Sequence, residues 1–217
     1  MLLIFDLDGT LIDSKKDLAI STNAVRAQFG MEPLDEAVIG SYVGNGAAAL
    51  VRRAMGPGTP EPVIEHALKK FLSFYRTHAL EHTHLYPGMR EAVTELAAAG
   101  HTLGVLTNKP GRISVDIIKA LGLANVFLHI YGGDVLPAKK PDPVGILTLM
   151  REAGSHAPET IMIGDSSVDV QTARNAKVRS CGVLWGFQPE SFTEFPPDLT
   201  VACPHELPPA IARLQVN

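Results

Sequence analysis

From Met89 to the C-terminus the chain alternates helical and strand patterns, and this alternation constrains its fold more than any other feature. Helical segments Met89–Ala99, Arg112–Leu121, Pro143–Ala153 and Ser167–Ala176 each follow or precede a short apolar run. Those runs are Thr102–Leu106, a segment near Leu128–Tyr131, Ile161–Ile163 and Ser180–Leu184. A last strand at Leu199–Ala202 leads to a terminal helix near Leu207–Leu214. Strands that alternate with helices of about ten residues are joined by crossovers, so the sheet is parallel with helices on both faces. Leu2-Leu3-Ile4-Phe5 is an unbroken apolar run. Such a run suits a strand covered on both sides, so the opening strand belongs to the same sheet.

Between that strand and Pro87 the pattern is helical. Leu18, Ala19, Ala24, Val25 and Phe29 recur at helical spacing, with Gly30 as a stop, and no strand pattern occurs from about Asp35 to Leu80. Ala47–Met55 is a short helix closed by Gly56-Pro57-Gly58. Glu61–Tyr75 carries an apolar stripe of Val63, Ala67, Leu68, Phe71, Leu72 and Tyr75, which reads as core. The expected fold class is α/β, a doubly wound parallel sheet (Rossmann-like). Its core is 1–13 with 82–217, and a small helical domain, 14–81, is inserted after the first strand. The Pro- and acid-rich stretch Gln188–Asp198 is expected to be an exposed loop.

Composition narrows the class. A chain of 217 residues, 46% apolar and 19% charged, is globular rather than disordered. The net charge of −4 argues against a nucleic-acid partner. No apolar stretch approaches the ~20 residues of a membrane span, and no secretory pattern opens the chain. Cys181 and Cys203 are too few for a disulfide framework or a zinc site and fit a reducing, cytoplasmic setting.

Four short motifs fall at the ends of expected sheet strands. They are Asp6 and Asp8 before Gly9-Thr10, Thr107-Asn108-Lys109, Lys139-Lys140-Pro141, and Gly164-Asp165-Ser166 with Asp169 four residues past Asp165. Two carboxylates at the end of a buried strand raise each other's pKa and do nothing for stability unless a cation joins them. In a parallel sheet all strand ends open on one edge, so the four motifs converge. Asp6 and Asp165 offer the hard oxygens that suit Mg²⁺. Thr107, the turn N–H groups and Lys140 offer donors to phosphate oxygens. One carboxylate can attack phosphorus and form an aspartyl-phosphate while the other moves protons. Taken singly, Asp165 and Ser166 also fit a helix N-cap, Thr107-Asn108 a turn, Lys139-Lys140 a solvated pair, and Asp169 a first-turn acid.

With these motifs in this order, the chain resembles the haloacid dehalogenase-like hydrolases, and the resemblance runs over nearly its whole length. The matching segments are Asp6 to Ser14, Thr107, Lys140-Pro141, and Gly164 to Asp169. The resemblance implies that Asp6 is the nucleophile and a metal ligand. It implies that Asp8 is the general acid/base and ligates metal through its backbone carbonyl. Thr107 and Lys140 would hold the phosphoryl group, together with Gly9, Thr10 and Asn108. Asp165 would complete the metal set, with Ser166 and Asp169 in support, and the helical insert would be a cap. The family's dehalogenases, which attack carbon, lack the Asp6/Asp8 pair, so phosphate esters are implied.

Tyr42-Val43-Gly44-Asn45-Gly46-Ala47, Leu50-Val51-Arg52-Arg53-Ala54, Thr107-Asn108-Lys109-Pro110 and Tyr131-Gly132-Gly133-Asp134 are similar to segments of bacterial phosphoglycolate phosphatases. The Gly44-Asn45-Gly46 turn opens a helix whose N–H groups could take a small carboxylate, or it is a plain turn. Arg52 and Arg53 fit a solvated face, and His78, His82 and His84 a hinge surface. The expected activity is Mg²⁺-dependent hydrolysis of a small phosphorylated metabolite, 2-phosphoglycolate foremost, by a monomer or homodimer. The alternatives are a phosphosugar mutase, a pyrophosphate or nucleotide phosphatase, and a non-catalytic binding module of the same fold.

Overall fold

The computed structural model describes residues 1–214. Six strands form one parallel sheet: β1 (Leu2–Phe5), β4 (Thr102–Leu106), β5 (Phe127–Tyr131), β6 (Thr160–Gly164), β7 (Arg179–Val183) and β8 (Leu199–Val201), in the order β5-β4-β1-β6-β7-β8. β1 sits near the middle, pairing Leu2 with Thr102 on one side and with Thr160 on the other. Its side chains alternate between two buried faces. Leu3 and Phe5 pack with α5 (Met89–Ala98), α6 (Gly111–Ala120) and α9 (Leu207–Arg213). Leu2 and Ile4 pack with α7 (Val144–Ala153) and α8 (Ser167–Ala176). Because both faces are covered, the strand has no polar side, which is why its sequence is an unbroken apolar run.

The segment between β1 and α5 is helical apart from two short strands at its ends. It comprises α1 (Lys15–Gln28), α2 (Glu36–Ser41), α3 (Ala47–Met55) and α4 (Glu61–His78), which pack on one another. On α4 the stripe that is fully buried is Ile64, Ala67, Phe71 and Tyr75, while Val63, Leu68 and Leu72 are partly covered.

Two features depart from the sequence expectations. First, the helical segment enters and leaves through a two-residue antiparallel ribbon, β2 (Ile12–Asp13) against β3 (His84–Leu85), which is too short to show a period. Asp17 at the start of α1 ties down the exit, accepting from the backbone N–H groups of His82 and Thr83 and from the Thr83 hydroxyl. Second, Gln188–Asp198 is not simply exposed. It contains a 3₁₀ turn, Pro189–Thr193, and Phe192 is buried against the sheet end. Its first residue reaches the helical layer, where Gln188 Nε2 donates to the carbonyls of Gly40, Ser41 and Val43.

The two cysteines are free. Cys181 lies buried in β7, where burial pushes its thiol up to about 12, and Cys203 is exposed. Of His78, His82 and His84, His78 stacks on Phe74 and His84 Nδ1 bonds the His82 carbonyl. No helix among the described residues is long and apolar enough to cross a membrane.

Candidate active site

The chain leaves β1 at Asp6, whose N–H still pairs with the Ile163 carbonyl of β6. This fixes the Asp6 carboxylate at the sheet edge. Its Oδ1 accepts from the Leu7 N–H at 2.7 Å and from Lys140 Nζ at 2.9 Å. Lys140 Nζ also reaches Asp169 Oδ1 at 2.6 Å. The other oxygen of Asp169 accepts from Ser166 N–H and Oγ, closing a reciprocal cap on α8. Ser166 and Asp169 are therefore both the cap of α8 and the far wall of the Lys140 site.

Asp165 directly follows β6 beside them. Its Oδ2 accepts from the Phe187 N–H at 2.7 Å, and Thr10 Oγ1 lies 3.5 Å from Oδ1. Gly9 is required where it passes Asp165: its φ is +80°, and a Cβ there would collide with the Asp165 carboxylate.

Asp6, Asp165 and Asp169 bring one carboxylate oxygen each within 4.8 Å of one another, and all three are buried. Burial pushes Asp6 up to about 6, against the pull of Lys140 and helped by Asp169. Asp165 is driven well above the carboxylate range by burial and by the Asp169 and Asp6 charges. Burial alone would lower Lys140, but Asp169 and Asp6 together hold it above the ordinary lysine range. Four carboxylates (these three and Asp8) face two ammonium groups, Lys140 and Lys109, which leaves an excess negative charge equal to that of a divalent cation. The donors are all hard oxygens, so the residues present fit such an ion, which would remove the cost of ionising Asp6 and Asp165.

Asp8 faces the other way. Its Oδ1 accepts from Ser14 Oγ at 2.5 Å and from Lys109 Nζ at 2.9 Å, and Lys109 lies 3.2 Å from Oδ2. Lys109 Nζ also donates to the Tyr75 hydroxyl of α4 at 2.5 Å and stands 4.5 Å from that ring's centre. Burial would lower Lys109, yet Asp8 and Tyr75 hold it above the lysine range. Burial pushes the Tyr75 phenol up to about 12, so it stays protonated at neutral pH.

Thr107 directly follows β4, its N–H held by the Tyr131 carbonyl and its Oγ1 accepting from the Lys109 N–H. Asn108 uses its whole amide on backbone, donating to the carbonyls of Gly44 and Lys140 and accepting from the Lys140 N–H. It brackets the Lys140 segment to the 42–46 turn.

Above these groups lies a chamber of about 450 Å³ of empty space, its mouth included. Asp6, Asp8, Thr107 and Lys109 form its floor, and Leu18, Val43, Gly44, Gly46, Leu50, Phe71 and Tyr75 its roof. Of the expected turn, Gly44 and Gly46 border the chamber, whereas the Asn45 side chain turns outward to accept from Arg53. Arg52 pairs with Glu61 on the exposed surface.

The sequence patterns put Lys109 in the second motif, Ser14 at the end of the first matching segment and Tyr75 in an apolar stripe, but gave none of them a role at the site, and they gave none to Phe187 or Gln188. Lys109 had a signal, since it stands next to Thr107-Asn108 at a strand end. So did Tyr75, because a tyrosine inside a buried stripe needs a partner for its hydroxyl. Gln188 had none.

A parallel sheet whose strand ends hold a buried carboxylate trio, a fourth aspartate and two buried lysines has the layout of an α/β enzyme with its site at the carboxyl ends of the strands. The chain belongs to the haloacid dehalogenase-like hydrolases, whose family profile matches residues 3–183. It is 41% identical over 190 residues to a phosphoglycolate phosphatase of Chromobacterium violaceum, covering 84% of each chain. It is 36% identical over 192 residues to one of Vibrio vulnificus, covering 86% of this chain and 84% of the relative. Among solved structures, a predicted phosphoglycolate phosphatase from Haemophilus somnus superimposes with a TM-score of 0.90 at 28% identity, over 96% of both chains. A structure from Lactobacillus delbrueckii subsp. bulgaricus, at 24% identity and a TM-score of 0.91 over 97% of both chains, shares the fold.

Proposed function

We propose that this chain hydrolyses a small phosphomonoester, 2-phosphoglycolate, through an aspartyl-phosphate on Asp6 and with Mg²⁺. The observation that carries the reading is the Asp6 carboxylate itself. It is 5% exposed, opens onto the chamber floor, and has Lys140 against one oxygen. In the first step, which Asp8 enters in its protonated form, an Asp6 oxygen forms a bond to phosphorus, the ester P–O bond breaks, and Asp8 gives its proton to the departing alkoxide. In the second, Asp8 takes a proton from water as its oxygen bonds to phosphorus. The bond to Asp6 then breaks, and inorganic phosphate leaves with Asp6 restored. Thr107, Lys140 and the turn N–H groups after Asp6 hold the phosphoryl oxygens through both steps.

The residues that would hold Mg²⁺ are Asp6, Asp165 and the Asp8 backbone carbonyl, with Asp169 behind them. The ion supplies positive charge for the phosphoryl oxygens. The helices of 14–81 act as a cap that excludes bulk water and reads the leaving group. The relatives named phosphoglycolate phosphatase, at 36% and 41% identity, support the substrate.

The test is phosphate release from 2-phosphoglycolate, hexose phosphates, nucleotides and pyrophosphate, with and without Mg²⁺. The expected result is fastest release from 2-phosphoglycolate and none after chelation. A flat profile removes the substrate. Isomerised sugar phosphate without free phosphate points to a mutase instead.

A further inference from the structure

We propose that Lys109 and Tyr75 together form the subsite that receives a carboxylate on the leaving group, and so set the enzyme's preference for an acidic ester. The proposal rests on the phosphatase reading for the placement of the phosphoryl group, but the subsite is built from residues that reading leaves without a role.

The two side chains meet inside the chamber. Lys109 and Tyr75 are 5% and 1% exposed, and both border the same space as Asp6 and Asp8. Lys109 arrives from the end of β4 and Tyr75 from α4, so the subsite straddles the sheet edge and the helical layer. The Tyr75 oxygen accepts from Lys109, which leaves its own proton to donate, and no described residue accepts it. The neighbouring roof, Leu18, Val43, Leu50 and Phe71, supplies no hydrogen-bonding side chain.

An ammonium and a hydroxyl proton side by side, in an otherwise apolar roof, match a group that only accepts. A carboxylate has that character. Sugar hydroxyls must donate as well as accept and would leave their protons unpaired there. Lys109 is also the chamber's only lining cation among the described residues, since Lys140 is turned to Asp6 and Asp169 below. A carboxylate entering the apolar space is therefore paired at Lys109 or left unpaired at large cost. The ammonium can serve Asp8 and the ligand at once because its three protons point apart.

The experiment compares two unreactive ligands by calorimetry on the Mg²⁺-loaded protein: 3-phosphonopropionate, which keeps the carboxylate, and propylphosphonate, which lacks it. The native protein is expected to prefer the first by at least about tenfold, the scale of a charge-assisted hydrogen bond. Lys109→Gln should bring that ratio down about tenfold, close to one, and Tyr75→Phe should lower it several-fold. Tyr75→Phe keeps the Lys109–Asp8 pair intact, so it decides the matter if Lys109→Gln does not fold. Equal weakening of both ligands, with the ratio unchanged in either folded variant, overturns the proposal, as does a native protein with no preference. Turnover is read separately. If 2-phosphoglycolate is not hydrolysed while the binding preference is lost in the variants, the proposed reaction fails and the subsite stands.

Discussion

Two buried lysines divide this site, and their surroundings differ. Lys140 and Lys109 have side chains 1% and 3% exposed, and each holds one aspartate of the Asp6/Asp8 pair. Lys140 takes its carboxylate partners from the sheet edge, Asp6 after β1 and Asp169 on α8. Lys109 takes Asp8 from the sheet edge and Tyr75 from α4. The bracing of Asp6 is therefore complete without the helical layer. The surroundings of Asp8 are complete only when α4 lies over the sheet edge. In the proposed reaction, the attacking group is preset by the core, and the proton carrier is set by the position of the helices.

The strongest test of that comparison is the pair Asp6→Asn and Asp8→Asn. Asp6→Asn is expected to lower kcat by more than ~10⁴-fold and to leave no phosphorylated protein in a rapid quench, since the nucleophile is gone. Asp8→Asn is expected to lose ~10²–10⁴-fold, the usual worth of acid–base help. If Asp8→Asn matches the native rate, the two aspartates do not divide the work. Next in size is pH. Asp6 has a folded value near 6 against an ordinary 3.8, so across that interval the folded state keeps a proton that the unfolded chain has lost. Stability of the metal-free protein therefore falls as pH rises from about 4 to 6. A pKa difference of one is worth ~1.4 kcal/mol, and the midpoint of thermal unfolding should drop by several degrees. Added Mg²⁺ at neutral pH should raise it again, and a midpoint insensitive to both pH and Mg²⁺ would break the electrostatic account of Asp6. The smallest effect is at Gln188. Gln188→Ala removes its bonds to the carbonyls of Gly40, Ser41 and Val43. It should raise KM about fivefold with kcat nearly unchanged, as expected for a net ~1 kcal/mol of hydrogen bonding that holds the helical layer down. A large fall in kcat instead would place the effect at Asp165, through the adjacent Phe187 N–H.

The sheet and the charged floor were legible because their signals are local. Each strand is a short apolar run, each motif follows it directly, and a parallel sheet aligns strand ends without further information. Other features depend on contacts distant in sequence. Tyr75 reads as one more apolar position of α4, and only its meeting with Lys109, 34 residues away, reveals the hydroxyl's use. Gln188 lies in a Pro-rich stretch, and its partners are about 145 residues earlier. Asp17 stands in the first turn of α1, and its acceptors are filled from His82 and Thr83, 65 and 66 residues away. The β2–β3 ribbon is two residues on each side, shorter than any pattern can register.

The place of β1 in the sheet has a consequence for how the chain is made. Its partners are Thr102, one hundred residues later, and Thr160, well beyond that. At a synthesis rate of ~5–20 residues per second, β1 waits about 10–30 seconds after its own synthesis for its second neighbour. The helices of 15–78 can form their mutual contacts meanwhile, since those contacts are closer in sequence. Leu2–Phe5 spends that interval as an apolar strand with open edges, so nascent chains that stop before β6 are expected to be the ones that aggregate or recruit chaperones.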